Sequence, residues 1–154
     1  MSSTPEERIR ELGMELPDLV PPVASYVPTA RTGSLVYTAG QIPLVKGELG
    51  ATGKVGAEVS AEEAARQARI CALNCIAALK AEVGELSRVA RIVKVLGFVA
   101  SAPDFHGQPQ VVNGASDLLG EVFGDAGRHA RSAVGVAVLP RDVPVEVELI
   151  AEIS

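Results

Sequence analysis

The C-terminal segment carries the pattern that most constrains the fold of this chain. From residue 143 to residue 153 every odd position is apolar, whereas three of the even positions are glutamates. Side chains of a β-strand point alternately to the two sides of a sheet, so this alternation predicts a strand with one buried face and one polar face. We therefore expect Val145 and Val147 to face covering helices and Glu146 to point away from them.

Other segments predict the elements that pair with this strand or cover it. Residues 89–100 are apolar at nearly every position, which is typical of a central strand. Ser60 and Glu63 form a capping-box pattern that opens a helix. The remaining predictions are a short helix over 4–13, strands over 34–39 and 131–138, a hairpin near 44–49, and helices over 60–83 and 110–123.

This order of elements predicts an α+β sandwich, a mixed β-sheet covered on one face by two helices. The opposite sheet face stays open, and the apolar strand over 89–100 gives that face apolar side chains. A large exposed apolar patch is rare on a monomer. We therefore expect an oligomer.

The composition limits the partners that this chain can have. Its 154 residues suit one domain, and 47% of them are hydrophobic, enough for a sizeable core. A net charge of −5, 3% aromatic residues and the absence of a basic run argue against nucleic-acid binding. No apolar stretch of about 18 residues predicts a membrane span. The N-terminus lacks the apolar core of a secretory signal, so we expect a cytoplasmic protein.

Cysteine and histidine spacing predicts no metal and no organic cofactor. Cys71 and Cys75 lie four residues apart in the predicted helix, where they fit a buried helix face better than half of a metal site. No HxH, HExxH or CxxC spacing occurs in the chain.

Several stretches together resemble the RidA family, also called YjgF or L-PSP endoribonuclease-like proteins. The resemblance covers about residues 22–153 and leaves about residues 1–20 as an N-terminal extension with a short helix. Its motifs are Val36 to Pro43, Phe98 to Phe105, His129 to Ser132, Leu139-Pro140 with Val145 to Glu148, and the single residues Tyr26 and Asn113. The resemblance implies a chorismate-mutase-like fold of the bacillus type, assembled as a homotrimer with sites in the clefts between subunits.

The resemblance also implies an activity and a set of site residues. The best-known members hydrolyse reactive 2-enamines and 2-imines to 2-keto acids and ammonia. Carried over by position, Arg131 holds the substrate carboxylate and Glu146 positions or activates the water. The residues implied to line or shape the pocket are Tyr26, Ala39, Gly40, Asn113 and Ala133.

The chain departs from the family pattern at several of these positions. The usual serine before the glycine is Ala39, the cysteine often found two residues after the arginine is Ala133, and the usual proline is His129. His129 is thus a further candidate for proton transfer. The departures favour an alternative, a trimer that binds a small carboxylate without turnover; an RNA-cleaving protein is a third hypothesis. For Arg131 the competing interpretation is an ion pair with a nearby glutamate.

Overall fold

The structure is a computed structural model that describes residues 2–19 and 23–154. It contains a five-stranded sheet, a two-stranded hairpin and three α-helices. The elements in chain order are α1 (Pro5–Glu11), β1 (Thr29–Thr32), β2 (Leu35–Thr38), β3 (Leu44–Val45), β4 (Glu48–Leu49), α2 (Ala61–Val83), β5 (Val89–Ala100), α3 (Gln108–Phe123), β6 (Ala130–Val136) and β7 (Val145–Ile153). Among the described residues, no helix has both the length and the apolar content needed to cross a bilayer.

The sheet has the strand order β1-β2-β7-β5-β6. Strands β5 and β6 are parallel, and all other neighbours in this sheet are antiparallel. The predicted α+β class with a mixed sheet is therefore confirmed, and so is the central place of β5. Strand β1 is not predicted by the sequence, because its four residues carry no hydrophobic alternation and are mostly exposed.

The alternation of β7 occurs as the sequence predicts. Its odd residues are buried under the helices and its even residues are only partly covered. Helix α2 packs closely on this strand: the Cys71 thiol donates to the Val145 carbonyl at 3.6 Å and the Cys75 thiol to the Val147 carbonyl at 3.3 Å. Burial raises the pKa of the Cys75 thiol to about 12. Both thiols thus stay protonated and structural.

No helix of the described residues covers the opposite face of the sheet, which carries many apolar side chains. The strand register places the following residues on the face that also carries Glu146: Leu35, Tyr37, Leu96, Phe98, Val134 and Ile150. Tyr37 and Val134 remain 42% and 41% exposed. The open face is therefore partly apolar, as expected, and it also carries the charged residues Lys94, Glu148 and Glu152.

Helix α1 is attached to the body of the domain. Thr4 caps it by accepting from the Glu7 amide at 3.1 Å. Ile9 is buried, and Arg8 donates to the Val122 carbonyl at 3.1 Å. Glu6 pairs with Lys80 at 2.9 Å. The predicted boundary between an N-terminal extension and the rest of the chain falls at residues 20–22, outside the described residues.

Two glycines of α3 make a matched test of how closely α3 packs on α2. A Cβ atom at Gly114 would overlap the carbonyl oxygen of Ala65 in α2, whereas a Cβ at Gly120 would meet nothing within 4 Å. We expect Gly114→Ala to lower the free energy of unfolding by about 1–3 kcal/mol, because the helices must separate. Gly120→Ala should raise it by up to about 1 kcal/mol, through helix propensity.

Urea unfolding of the two variants and the parent chain measures this difference. Equal stability of the two variants would contradict the close approach of α2 and α3.

Candidate functional site

Arg131 lies near the start of β6, at the edge of the sheet, and is half-buried. The register aligns it with Val95 and Leu149, which are buried on the helix side. Its side chain accordingly reaches α3, where Nη1 donates to Oδ1 of Asn113 at 2.7 Å. Two residues predicted for the site, Arg131 and Asn113, are thus brought together by the β5–α3–β6 unit.

A hydrogen-bonded chain continues from Arg131 to His129 through Ser116. Nη1 of Arg131 donates to Oγ of Ser116 at 3.2 Å, and this Oγ lies 2.9 Å from Nε2 of His129. Nδ1 of His129 lies 2.7 Å from the Gly127 carbonyl, so this nitrogen must carry the hydrogen. In the neutral ring Nε2 is then an acceptor, and the Ser116 hydroxyl donates to it.

The environment of His129 favours this neutral form. Burial lowers the pKa of His129, and the positive charge of Arg131 lowers it further, against the opposing effect of the bond to Gly127. Each hydrogen bond of the series is therefore donated in the same direction, from the Arg131 guanidinium towards the Gly127 carbonyl.

Among the described residues, Arg131 has no ion-pair partner, and one edge of its guanidinium has no hydrogen-bond acceptor. The ion pairs found among the described residues do not include Arg131, so the competing ion-pair interpretation finds no partner there. Within the same residues only Nη1 of the guanidinium has hydrogen-bond acceptors. The Nε–Nη2 edge offers two parallel donors, the arrangement that matches a carboxylate.

A cavity of about 310 Å³ lies beside this cluster. It is lined by Ser116, Gly120, Gly127, Arg128, His129 and Arg131. Positive and neutral side chains surround it without a carboxylate, which suits an anionic ligand.

Glu146 and Gly40 form a second cluster on the open face. The Glu146 carboxylate lies against Gly40, where an added Cβ would overlap Oε2 and stand 3.0 Å from Cδ. The amide of the next residue, Gln41, donates to the Val147 carbonyl at 2.8 Å and holds this turn on β7. Ala39 precedes the turn and is half-buried. A larger residue at position 40 would therefore displace the Glu146 carboxylate from this place.

The Glu146 carboxyl has an altered proton affinity. Burial raises its pKa, and the charge of Glu148 raises it further. A carboxylate with a raised pKa is a better proton acceptor near neutral pH.

The two clusters lie on opposite faces of one sheet. Arg131 belongs to the row of Val95 and Leu149, which faces the helices. Glu146 belongs to the row of Phe98 and Val134, which faces away from them. A ligand bound on one side of a single chain therefore cannot contact both groups.

The remaining predicted residues, Tyr26 and Ala133, take no part in the side-chain hydrogen bonds of Arg131. Tyr26 is 56% exposed on the segment before β1. Ala133 lies on the helix side of β6 and packs partly against the core. Ser116 is not predicted by the sequence, although its position three residues after Asn113 places both on one face of α3. Among the described residues no group of histidine, cysteine and carboxylate side chains could hold a metal ion.

Comparison with known proteins places the chain among related sequences and structures. The family described as "YjgF/chorismate mutase-like, putative endoribonuclease" matches residues 6–153. Protein TCP17 of Trypanosoma cruzi is 42% identical over 95% of this chain and 92% of its own length. The 2-iminobutanoate/2-iminopropanoate deaminase of Salmonella typhimurium is 36% identical over 84% of this chain and 88% of its own.

Solved structures share the fold. The crystal structure of the protein Atu1372, of unknown function, from Agrobacterium tumefaciens has a TM-score of 0.91 and 45% sequence identity, and the match covers 97% of this chain and 92% of that one. Both the sequence comparison and the structural comparison thus find relatives that match most of this chain.

Proposed function

Because this chain belongs to the YjgF/chorismate mutase-like family, we propose that it is a hydrolase that converts small 2-imino and 2-enamino acids to 2-keto acids and ammonia. The observation that carries the proposal is that two hydrogen bonds to α3 fix the guanidinium of Arg131. Its Nη1 is occupied by Asn113 and Ser116, and its Nε–Nη2 edge has no partner within the described part of the chain. A small imino acid offers a carboxylate and little apolar surface, so such an edge supplies most of its recognition.

The site that we propose is shared between two copies of the chain. Arg131 and Glu146 face opposite sides of their own sheet, so one substrate meets both only if a second copy supplies one of them. A cyclic homotrimer with a cleft at each interface meets this requirement, because a head-to-tail interface joins different surfaces of neighbouring copies. The apolar open face supplies the surface that such an assembly buries.

In this cleft Glu146 acts as the proton carrier. The ionised carboxylate takes a proton from water as the water oxygen bonds to C2 of the imine, and the C=N electron pair moves to nitrogen, which receives that proton. Glu146 then takes the proton of the new hydroxyl and delivers it to the nitrogen as the C=O bond forms and the C–N bond breaks, so that ammonia is released. An enamine first gains a proton at C3 and loses one from nitrogen, which gives the imine.

A dehydratase-coupled assay tests the proposed activity. Threonine or serine dehydratase generates the 2-enamine in place, and the release of 2-keto acid is followed with and without this protein. Faster release with the protein is the expected result. The departures at Ala39 and Ala133 favour the alternative of binding without turnover, which would instead give 2-oxobutanoate binding and no acceleration.

Replacement of Arg131 should reduce catalytic efficiency while the fold remains intact. The loss of a charge-assisted hydrogen bond costs about 1.5–3 kcal/mol, so we expect Arg131→Ala to lower kcat/KM by about tenfold to a hundredfold. Arg131→Lys should recover only part of this, because an ammonium cannot donate two parallel bonds. The coupled assay measures both.

Arg66→Ala is the matched control, because Arg66 lies on the surface of α2 in an exposed pair with Glu63. Full activity of Arg131→Ala would place the carboxylate site elsewhere.

The pH profile should report the ionisation of Glu146. Because the proton acceptor must be ionised, kcat/KM should fall as the pH drops through the raised pKa of this group. Glu148→Gln removes a negative neighbour, lowers the pKa of Glu146 and should move the acid limb of the profile to lower pH. Glu152→Gln, on the same face of β7, is the control and should leave the limb in place. If Glu148→Gln leaves the acid limb of the pH profile unchanged, Glu146 is not the group that produces this limb.

The chain should be a trimer in solution. We expect multi-angle light scattering at micromolar concentration to give about three times the chain mass of 16.0 kDa. A particle of 16.0 kDa would contradict the shared site.

A further inference from the structure

We propose that Ser116 and His129 are positioning residues that fix the guanidinium of Arg131 for carboxylate binding. This inference rests on the proposed function, since it concerns how the same site holds its ligand. The observation behind it is the continuous hydrogen-bonded chain from Nη1 of Arg131 through Oγ of Ser116 to the His129 ring and the Gly127 carbonyl.

Two acceptors on one nitrogen determine the orientation of the guanidinium plane. Asn113 and Ser116 lie one helical turn apart on α3 and accept from the same Nη1, at 2.7 and 3.2 Å. One acceptor would leave the planar group free to rotate about that bond. With both in place, the Nε–Nη2 edge keeps one direction, and a carboxylate then binds with little further loss of side-chain freedom.

His129 determines the direction in which the Ser116 hydroxyl points. A helical serine can donate to a backbone carbonyl of the preceding turn, which would compete with its contact to Arg131. Nε2 of His129, 2.9 Å away, takes the hydroxyl hydrogen and leaves the oxygen lone pairs to Arg131. The hydroxyl thus accepts from Arg131 because the ring accepts from the hydroxyl.

The His129 ring is itself held against α3. Its Nδ1–H donates to the Gly127 carbonyl at 2.7 Å. Gly127 sits so close to α3 that an added Cβ would overlap the Leu119 carbonyl oxygen. The loop before β6 is therefore held at a set distance from α3, and this holds the His129 ring beside Ser116.

Within the described residues, Arg131 donates to two neutral side chains, and the His129 ring that holds one of them is neutral as well. Asn113, Ser116 and the uncharged His129 orient the guanidinium without neutralising it. A glutamate in their place would hold the side chain equally well but would compete with the substrate carboxylate for its charge. These contacts therefore orient the guanidinium and leave its positive charge available to the carboxylate of a ligand.

The test measures 2-oxobutanoate binding by calorimetry together with kcat and KM in the coupled assay. We expect Ser116→Ala to weaken 2-oxobutanoate binding and to raise KM by about threefold to tenfold. The kcat value should stay within about twofold of the parent, because the carboxylate is bound equally in the ground state and in the transition state. Ser116→Thr keeps the hydroxyl and should recover most of the affinity. Ser87→Ala, on the exposed turn before β5, is the matched serine control.

Nitrogen NMR of the histidine ring supplies a readout that does not need turnover. The parent chain should show Nε2 of His129 as an unprotonated acceptor whose resonance shifts in Ser116→Ala and on addition of 2-oxobutanoate. Parental affinity in Ser116→Ala, or a protonated Nε2 that ignores Ser116→Ala, would overturn the positioning role. If the parent chain neither hydrolyses the imine nor binds 2-oxobutanoate, the proposed function is refuted, and so is a role for these residues in carboxylate binding. The NMR result would then show only whether the hydrogen bond between Ser116 and His129 exists.

Discussion

The alternation of β7 is the constraint on which the rest of the structure depends. Its odd residues close the core beneath α2, where two buried thiols donate to the carbonyls of Val145 and Val147. Its even residues place Glu146 on the opposite face, against Gly40. Since the strand lies between β2 and β5, a shift by one residue would exchange the two faces across the sheet and bury the glutamates. Core packing and the position of the candidate base are therefore set by the same register.

The crossover from β5 through α3 to β6 positions Arg131, the other half of the proposed site. It brings the start of β6 beside the middle of α3, so that Arg131 meets Asn113 and Ser116. The sheet between the two clusters separates the cation from the carboxylate, which prevents them from forming an ion pair within one chain. Neither group is therefore neutralised by the other within one chain, and the assembly that we propose would bring the two kinds of group together.

The sequence predicts the elements whose patterns are local and leaves out those that depend on distant contacts. Strand β7 and helix α2 follow from their periodicity and from the Ser60 cap. Strand β1 is set by pairing with β2, which no pattern in its own residues indicates. The resemblance supplied Arg131, Asn113, Gly40 and Glu146, but the division of these residues between two faces follows only from the strand register. Ser116 and the tautomer of His129 depend on how a loop lies on a helix, which local sequence does not encode.

The central claim is that one site takes Arg131 from one copy and Glu146 from another, and mixed trimers test it directly. Arg131→Ala and Glu146→Gln chains are each purified, combined in equal amounts, unfolded and refolded together, and assayed for imine hydrolysis. Random assembly gives roughly a quarter of the clefts an intact Arg131 and an intact Glu146, so the mixture should regain about a quarter of the parental activity. A refolded mixture that forms trimers yet stays as inactive as the separate variants would show that both residues serve a site from the same chain, and would contradict the account.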